Sequence, residues 1–327
     1  MTERTRVSVV GGGAWGVALA AAAAGAGSEV LLYSRRASSE GSKNPLGVVV
    51  THSLAEAARH APLLLLAVPS AQARNVGRAL GDVVDGHHMI VHGIRGLVQA
   101  APDPFGAPSL ATISAVLREE TPARRFGALG GPVLTDELAA GAPSILVVAS
   151  RFAEVIAAVR SALGGPSLRI YATEDLIGLE WASALTGILA VAVGYARGVG
   201  VGAGLVAAFV TRGLHEAARV AAAAGADERT FYGLAGFGDL LAAIAEEARP
   251  EIRLGEALAR GETLDRALSV LGQRIEAIEL APKIAAFATH HRVSAPILQA
   301  VANGIFAQRP SQEILQALMS APITGPA

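Results

Sequence analysis

The sequence contains no cysteine among its 327 residues, and only 4% of its residues are aromatic. The absence of cysteine excludes disulfide bonds and thiolate metal sites, and it agrees with a cytoplasmic location. Strong charge of either sign is also missing, because the formal net charge is -1 and no long basic run occurs. A chain without such a field does not attract nucleic acid or an anionic membrane surface, so neither is an expected partner.

No stretch of the sequence is typical of an export signal or a membrane span. The first six residues are mostly polar or charged and lead directly into a strand pattern, so we expect no signal segment. The most apolar stretch runs from Trp181 to Ala196 and is closed by Arg197. Its sixteen residues fall short of the ~20 that cross a bilayer, which favours a buried core helix.

Apolar residues are abundant, at 52% of the chain, and a length of 327 residues predicts about two domains. In the first half, short β-branched runs alternate with helical patterns, which is typical of a parallel sheet covered by helices on both faces. The predicted strands are Val7–Val10, Glu29–Tyr33, Leu63–Val68, Met89–Val91, Phe126–Leu129, Ser144–Val148 and Leu168–Tyr171.

Beyond about Thr173 only helical periodicity remains. The predicted helices there are Asp175–Gly194, Val206–Ala224, Ile252–Arg260, Ile275–His290 and Pro296–Ala307. The fold class is therefore α/β, with an N-terminal Rossmann doubly wound parallel sheet over residues 1–170 and a C-terminal all-helical domain over residues 171–327. No Gly/Ser linker separates them.

A glycine loop lies between the first predicted strand and the first predicted helix. Gly11, Gly13 and Gly16 form the pattern G-x-G-x-x-G in the context that supports dinucleotide binding. The three glycines allow a tight turn, close approach of a pyrophosphate, and close packing of helix on strand. Ala14 and Trp15 complete the loop at the helix N-terminus, whose amides and dipole favour phosphate. A glycine-rich turn without a ligand is the alternative.

The end of the second strand bears on the choice of cofactor. A site that prefers NAD(H) has a carboxylate there, whereas this chain has Ser34-Arg35-Arg36. Two guanidinium groups can pair with a 2′-phosphate, so the sequence favours NADP(H) over NAD(H). Two solvated arginines remain the alternative.

Several motifs, in their order and spacing along the whole chain, are shared with one known family. They are Gly11–Gly16, Ala67-Val68-Pro69-Ser70, Gly131-Pro132 with Glu137, Thr211-Arg212-Gly213-Leu214 with Glu216, Gly233–Leu240, and Ala295-Pro296-Ile297. In these motifs the chain resembles the NAD(P)-dependent glycerol-3-phosphate dehydrogenases.

The resemblance implies a reaction and a set of site residues. Members of the family reduce dihydroxyacetone phosphate by hydride transfer from a nicotinamide, and their helical domains often pair, so a small phosphorylated substrate and a homodimer are expected. It further implies an active-site aspartate, contacts to substrate and contacts to cofactor. These residues are Asp239 in the active site, Arg249 and Gly131 at the substrate, and Arg249, Thr135 and Glu276 at the cofactor.

This chain departs from the family pattern at both lysine positions. The lysine that polarises and protonates the carbonyl oxygen is matched by Thr186, with Gly187 in place of the following asparagine, and the second lysine is matched by His92. Charge that develops on that oxygen needs a nearby donor or cation. A threonine hydroxyl is a poor proton donor, whereas an imidazole can donate near neutral pH. His92 is thus a candidate catalytic residue, and a local structural hydrogen bond is its alternative.

Two hypotheses follow. The first is an oxidoreductase of the glycerol-3-phosphate dehydrogenase type with weakened activity or a different substrate. The second is a degenerate member that binds the nicotinamide cofactor as a regulatory or scaffold protein.

Other candidate residues have structural alternatives as well. Asp239 lies in a glycine-rich segment where it could cap a helix, and Arg249 lies near Glu246 and Glu247, with which it could form a surface salt bridge. The pair His290-His291 lacks further ligands at metal-binding spacing, so a solvated helix end is favoured and no metal is expected.

Overall fold

The computed structural model describes residues 4–35, 47–100, 109–246 and 248–320. The chain divides into two compact units. One contains Met1–Val98 and Thr112–Leu179, and the other contains Gln99–Ala111 and Glu180–Ala327.

An eight-stranded sheet forms the centre of the first unit, in the order β10-β9-β8-β5-β4-β1-β2-β3, and β6 and β7 form a separate two-stranded sheet. The strands are β1 Arg6–Val10, β2 Glu29–Tyr33, β3 Val49–Thr51, β4 Leu63–Leu66, β5 Met89–His92, β6 Val98–Gln99, β7 Leu110–Ala111, β8 Arg125–Gly130, β9 Ser144–Ala149 and β10 Leu168–Thr173. The predicted Rossmann-like sheet is confirmed, and β3, β6 and β7 are strands that the sequence analysis did not predict.

The strand order reverses at β1. Val9 is in register with Leu32 of β2 on one side and with Leu65 of β4 on the other, and both pairings are parallel. All four leucines of β4 are buried, as expected for a central strand covered on both faces. Nucleotides bind such sheets at the crevice beyond the carboxyl ends of the strands that flank the reversal. The glycine loop after β1 and the turn after β4 lie at this place.

One strand pair departs from the predicted parallel arrangement. Strands β8 and β9 are antiparallel, whereas β9 and β10 are parallel. The connection from β8 to β9 contains only α5, Thr135–Ala139, whose five residues span about 7.5 Å. A six-residue strand is about 20 Å long, so this helix is too short to return the chain to the other end of the sheet. Strand β9 therefore starts where β8 ended.

Helices cover the sheet in two layers. They are α1 Ala14–Gly25, α2 Leu54–His60, α3 Ala73–Gly81, α4 Ile113–Glu120, α5 and α6 Ala153–Leu163, with a short 3-10 turn at Ser70–Gln72. Helix α1 packs with α5 and α6, while α3 packs with α2 and α4. The alanine-rich sequence of α1 lets it pack closely, since most of its alanines are buried.

After Thr173 the described chain contains helices and their connections but no strand, which confirms the predicted helical region. The helices are α7 Leu176–Gly198, α8 Ala203–Ala222, α9 Arg229–Tyr232, α10 Asp239–Ala245, α11 Pro250–Ala259, α12 Leu264–Leu271, α13 Glu276–His290, α14 Pro296–Ala300 and α15 Ser311–Ser320, with π-helical turns at Leu234–Gly238 and Val301–Ile305.

Helix α7 is longer than the sequence predicted. Its 23 residues are long and apolar enough to cross a membrane by length and composition, with a mean hydropathy of 1.8 in its most apolar window. The argument from a sixteen-residue length was therefore wrong. However, 89% of that window is buried within the protein, which is typical of a core helix.

A buried carboxylate ties α8 to α14. Glu216 is 2% exposed, and its Oε2 accepts hydrogen bonds from the backbone N–H groups of Ile297 (2.8 Å) and Leu298 (3.3 Å). Pro296 begins α14, so Glu216 satisfies backbone donors in the first turn of that helix. Burial raises the pKa of Glu216 from 4.5 to about 7, although the two backbone hydrogen bonds oppose the shift.

This shift predicts a pH-dependent contribution to stability. Because the folded-state pKa is the higher one, the contribution is fully present below pH 4.5 and is lost as the pH rises through about 7. Glu216→Gln does not titrate, so its unfolding free energy relative to the native chain should rise by about 3 kcal/mol between pH 4 and pH 8. Urea unfolding across this range measures the difference. Glu154→Gln, at an exposed position, is the control. If the difference in unfolding free energy between Glu216→Gln and the native chain does not change with pH, the raised pKa of Glu216 is contradicted.

Candidate functional site

Two glycines of the loop are required by the fold itself. Gly11 has φ +128°, and a Cβ built on it would lie 2.2 Å from the carbonyl oxygen of Ala67 in the turn after β4. A Cβ on Gly16 would lie 1.8 Å from the carbonyl oxygen of Gly11. The loop can therefore close only if both positions lack a side chain.

Gly13 is different, because the protein gives no steric reason for a glycine there. A Cβ built on Gly13 meets no atom within 4 Å, and its φ of −79° and ψ of 175° suit any residue. Gly13 is the N-cap of α1, and no side chain caps this helix end. The open space beside Gly13 and the amides at Ala14 and Trp15 therefore fit the pyrophosphate of a dinucleotide.

Trp15 joins the glycine loop to the end of β5. A Cβ on Gly93 would lie 2.3 Å from the indole Nε1, so the ring lies directly on the backbone of Gly93. Within the described residues, this buried Nε1 has no hydrogen-bond partner. The structure thus brings Trp15 together with the His92-Gly93 pair that matches the second lysine position of the resemblance.

His92 is the last residue of β5 and is 1% exposed. Its Nδ1 accepts a hydrogen bond from the N–H of Ile94 at 3.3 Å. When the ring is neutral, this arrangement places the ring proton on Nε2. The structural hydrogen bond that the sequence analysis weighed as the alternative for His92 is present.

The residues after β2 are only partly described. Arg35 is exposed at the carboxyl end of that strand, and Arg36 lies outside the described residues. Ser34 is buried beneath the glycine loop, since a Cβ on Gly12 would lie 2.2 Å from its Oγ. The chain therefore places an accessible guanidinium where the ribose of a dinucleotide is bound in this fold.

Gly131 and Thr135 lie between β8 and β9. Gly131 has φ +93°, and a Cβ there would lie 2.9 Å from Cγ2 of Val147, so the turn itself requires glycine. Thr135 is the first residue of α5, which packs against α1. The predicted contacts of Gly131 to substrate and of Thr135 to cofactor stay predictions.

In the second unit, α7 and α11 approach each other through glycines. A Cβ on Gly194 would lie 2.1 Å from the carbonyl oxygen of Ile252, and one on Gly255 would lie 2.2 Å from that of Val191. This contact places the start of α11 beside Gly187, where a Cβ would lie 3.8 Å from Oε1 of Glu251. The close approach of the two backbones thus positions Glu251 next to the residue pair that replaces the family's lysine and asparagine.

Asp239, Arg249 and Glu251 form one charged cluster. The Arg249 Nε donates to Oε2 of Glu251 at 3.1 Å, and its Nη2 lies 4.0 Å from Oδ1 of Asp239. The exposed side-chain fractions are 0% for Asp239, 10% for Arg249 and 17% for Glu251. The structure therefore brings together the predicted residues Asp239 and Arg249, and it adds Glu251.

The structure contradicts the helix cap that was the alternative for Asp239 and the salt bridge to Glu246 that was one alternative for Arg249. Asp239 does not cap its helix, because Gly238 is the N-cap of α10 and the preceding Leu234–Gly238 segment is a π-helical turn rather than a loop. Such turns interrupt helices at functional positions more often than elsewhere. Arg249 is buried and pairs with Glu251, whereas Glu246 accepts from the N–H of Ala248, and Glu247 lies outside the described residues.

The Thr186 hydroxyl donates its proton within its own helix. The residue is 2% exposed, and its Oγ1 donates to the carbonyl oxygen of Ala182 at 2.8 Å, one turn earlier in α7. Such back-bonding uses the only proton of the hydroxyl within its own helix. Nearby on the same helix, the Ser183 Oγ is buried without a hydrogen-bond partner among the described residues.

The remaining predicted positions lie at the ends of α13. Glu276 is its first residue, and its Oε1 is 3.6 Å from Nε of Arg274, so its cofactor contact stays a prediction. His290 is its last residue and is exposed, with its ring against that of His291. Among the described residues, no group of three His, Asp or Glu side chains could hold a metal ion.

Comparison with known proteins gives the family. The model of the N-terminal part of NAD-dependent glycerol-3-phosphate dehydrogenase matches residues 38–156, and the model of the C-terminal part matches residues 175–316. The chain belongs to the NAD-dependent glycerol-3-phosphate dehydrogenase family.

Individual relatives agree over nearly the whole length. The glycerol-3-phosphate dehydrogenase [NAD(P)+] of Brucella ovis is 34% identical over 334 residues, covering 98% of each chain. That of Fusobacterium nucleatum is 30% identical over 330 residues, covering 96% of each chain. The crystal structure of glycerol-3-phosphate dehydrogenase from Coxiella burnetii has a TM-score of 0.87 at 26% identity, covering 97% of this chain and 99% of that one.

The sequence offers few candidates for a catalytic ammonium group. The whole sequence contains two lysines, Lys43 and Lys283. Lys43 lies outside the described residues, and Lys283 is on α13. Neither occupies a position that the resemblance assigns to an active-site lysine.

Proposed function

We propose that this chain interconverts dihydroxyacetone phosphate and sn-glycerol 3-phosphate with a nicotinamide dinucleotide, at a rate reduced by the loss of both lysines. The observation that carries the proposal is the space beside Gly13 at the uncapped start of α1, which the fold does not need for itself. The charged cluster of the second unit adds an arginine of the kind that binds phosphate.

Each residue has a distinct role in this proposal. The bound nicotinamide supplies the hydride. The amides at the start of α1 hold the pyrophosphate, and Arg249, oriented by Asp239, binds the phosphate group of the substrate. His92, the last residue of β5, is the candidate hydrogen-bond donor to the alkoxide that forms at the carbonyl oxygen, and solvent supplies the proton that completes the alcohol.

Absorbance at 340 nm tests the proposal. Purified full-length protein is mixed with dihydroxyacetone phosphate and NADPH or NADH at several pH values, with Gly13→Ala as the background. Oxidation above that background that depends on dihydroxyacetone phosphate supports the dehydrogenase. Rates equal to those of Gly13→Ala at every pH exclude it.

The hydrogen bond of Thr186 within its own helix favours a second candidate function, which is binding of the cofactor without turnover. The Thr186 hydroxyl is bonded within α7, and Gly187 has no side chain at all. A site that loses several groups of one catalytic unit can lose nearly all of its rate enhancement. Calorimetric titration with NADPH separates the candidates, because binding without turnover supports a sensor and no binding leaves a scaffold.

We also propose that the cofactor is NADP(H), with Arg35 as its selectivity residue. The exposed guanidinium at the end of β2 can pair with a 2′-phosphate, and a charge-assisted hydrogen bond of this kind contributes about 1.5–3 kcal/mol. Arg35→Ala is therefore expected to weaken NADPH binding about 10- to 100-fold and NADH binding less than about 3-fold. Fluorescence titration measures both constants. With Arg169→Ala on the edge strand β10 as a control, equal losses for both cofactors would contradict this role.

The partners that we propose are a small phosphorylated substrate and a second copy of the chain. The cytoplasmic location rests on the sequence and also stays a proposal.

A further inference from the structure

Glu251 occupies the edge of Arg249 that is best suited to binding an oxyanion. In a guanidinium group, Nε–H and one Nη2–H point the same way and together match two oxygens of a carboxylate or phosphate. Here Nε donates to Glu251 at 3.1 Å, while Nη2 lies 4.0 Å from Asp239. The protein's own carboxylates therefore face this edge, and an incoming phosphate must compete with them or use the other end of the group.

The charge of the cluster acts in the same direction. Two carboxylates and one guanidinium give a net charge of −1, and the three side chains are between 0% and 17% exposed. Water screens charges weakly at such burial, so a phosphate dianion that approaches Arg249 also meets the repulsion of Glu251. Like charges placed side by side at a binding site disfavour a ligand strongly.

Local structure keeps Glu251 in this place. Pro250 is the first residue of α11, and Glu251 lies in its first turn, where the helix dipole favours a negative charge. Gly187 of α7 lies opposite Glu251. Because Gly187 has no side chain, that position offers the carboxylate no donor that competes with Arg249. The pair Arg249–Glu251 is thus fixed by the start of a helix rather than by a flexible loop.

We infer that Glu251 is a specificity-determining residue of this chain. It holds the side-on edge of Arg249 and lowers the affinity of the second unit for the phosphate group of a substrate. The inference rests on the proposed function, because it concerns the same arginine. It predicts that the native chain binds phosphorylated substrates weakly and gains affinity when the charge of residue 251 is removed.

Calorimetric titration of the full chain with inorganic phosphate, at fixed ionic strength, tests the inference without requiring turnover. Glu251→Gln keeps the size of the side chain and an acceptor for Arg249 but removes the charge. We expect it to lower the Kd for phosphate about tenfold or more. The matched control Glu256→Gln, on the same helix, is expected to leave the Kd within about twofold.

Arg249→Ala tests whether the gain in phosphate affinity of Glu251→Gln depends on Arg249. In the double variant Arg249→Ala with Glu251→Gln, the gain should disappear. An unchanged Kd for Glu251→Gln, or a gain that persists without Arg249, overturns the inference. If circular dichroism shows that Glu251→Gln is unfolded, Glu251→Ala is read by the same criteria.

Initial rates with dihydroxyacetone phosphate separate this inference from the proposed function. Glu251→Gln should lower KM about tenfold and leave kcat nearly unchanged, because the substitution alters binding of the distal phosphate and not the reacting carbonyl. If no variant oxidises NADPH, the dehydrogenase proposal fails. The phosphate Kd values then still decide whether Glu251 restrains Arg249.

Discussion

Combining Thr186→Lys with Gly187→Asn is expected to raise kcat for dihydroxyacetone phosphate reduction by about 10²- to 10³-fold, the usual effect of one well-placed donor to a developing oxyanion. In the native chain, the Thr186 hydroxyl donates to Ala182 and carries no charge. A lysine there supplies an ammonium group at the position that the family resemblance assigns to its catalytic lysine. Burial of Thr186 at 2% exposure favours the neutral amine, which makes the ammonium a better proton donor.

The structure also indicates that the second substitution is tolerated. A Cβ on Gly187 meets Oε1 of Glu251 at 3.8 Å, an ordinary contact, and an asparagine amide there could donate to that carboxylate. Replacing a glycine in the interior of α7 also removes a helix penalty of a few tenths of a kcal/mol. The cost lies with the lysine, since a buried ammonium group lowers the free energy of unfolding unless it is paired.

Thr186→Met with Gly187→Asn is the matched control, because methionine has a similar length to lysine without the charge. Stopped-flow measurements at saturating NADPH report the rate of the chemical step for both double variants. A gain shared by the methionine variant, or no gain in a folded lysine variant that binds NADPH, would falsify the assignment of position 186.

Gly13→Ala is expected to weaken binding of NADPH about 10- to 100-fold while the protein stays folded. The new methyl group meets no protein atom within 4 Å, so the substitution leaves the packing of the loop unchanged. It does occupy the space in which we place the pyrophosphate, and overlap of this kind typically costs 1–3 kcal/mol. Calorimetric titration with NADPH measures the loss, and the thermal midpoint shows that the fold is retained.

Two other glycines serve as references for this result. Gly25→Ala lies at the other end of α1, also has no atom within 4 Å, and should leave both stability and NADPH binding nearly unchanged. Gly16→Ala should lower the thermal midpoint, because its Cβ would lie 1.8 Å from a backbone oxygen. If Gly13→Ala binds NADPH as well as Gly25→Ala does, the pyrophosphate is not held at Gly13.

The fold of the first unit could be predicted well because its signals are local. A β-branched run before three glycines and an alanine-rich helix define β1, the loop and α1 without any distant contact. The direction of β9 could not be predicted in the same way. It depends on how far the short α5 carries the chain, and the sequence between Gly131 and Ser144 does not show where that helix stops.

The candidate site could be predicted only in part, because some of its residues belong to local motifs and others are brought in by packing between distant segments. Asp239 and Arg249 come from motifs, whereas Glu251 comes from the crossing of two helices that are far apart in the sequence. Gly187, Gly194 and Gly198 recur at intervals of seven and four residues and so lie along one face of α7, a signal of close helix packing. That signal does not name the partner helix. The hydrogen bond of Thr186 to its own helix is likewise a matter of rotamer, which residue type alone does not determine.

The burial of α7 also has a consequence for the life of the chain before it folds. Its 23 residues are long and apolar enough for a membrane span by length and composition, and 89% of the most apolar window is buried within the protein. During synthesis, a chain whose helical region has not yet packed exposes this apolar segment to other unfolded chains. Packing of the other helices around α7 is therefore the step of folding that hides the most apolar segment of the chain.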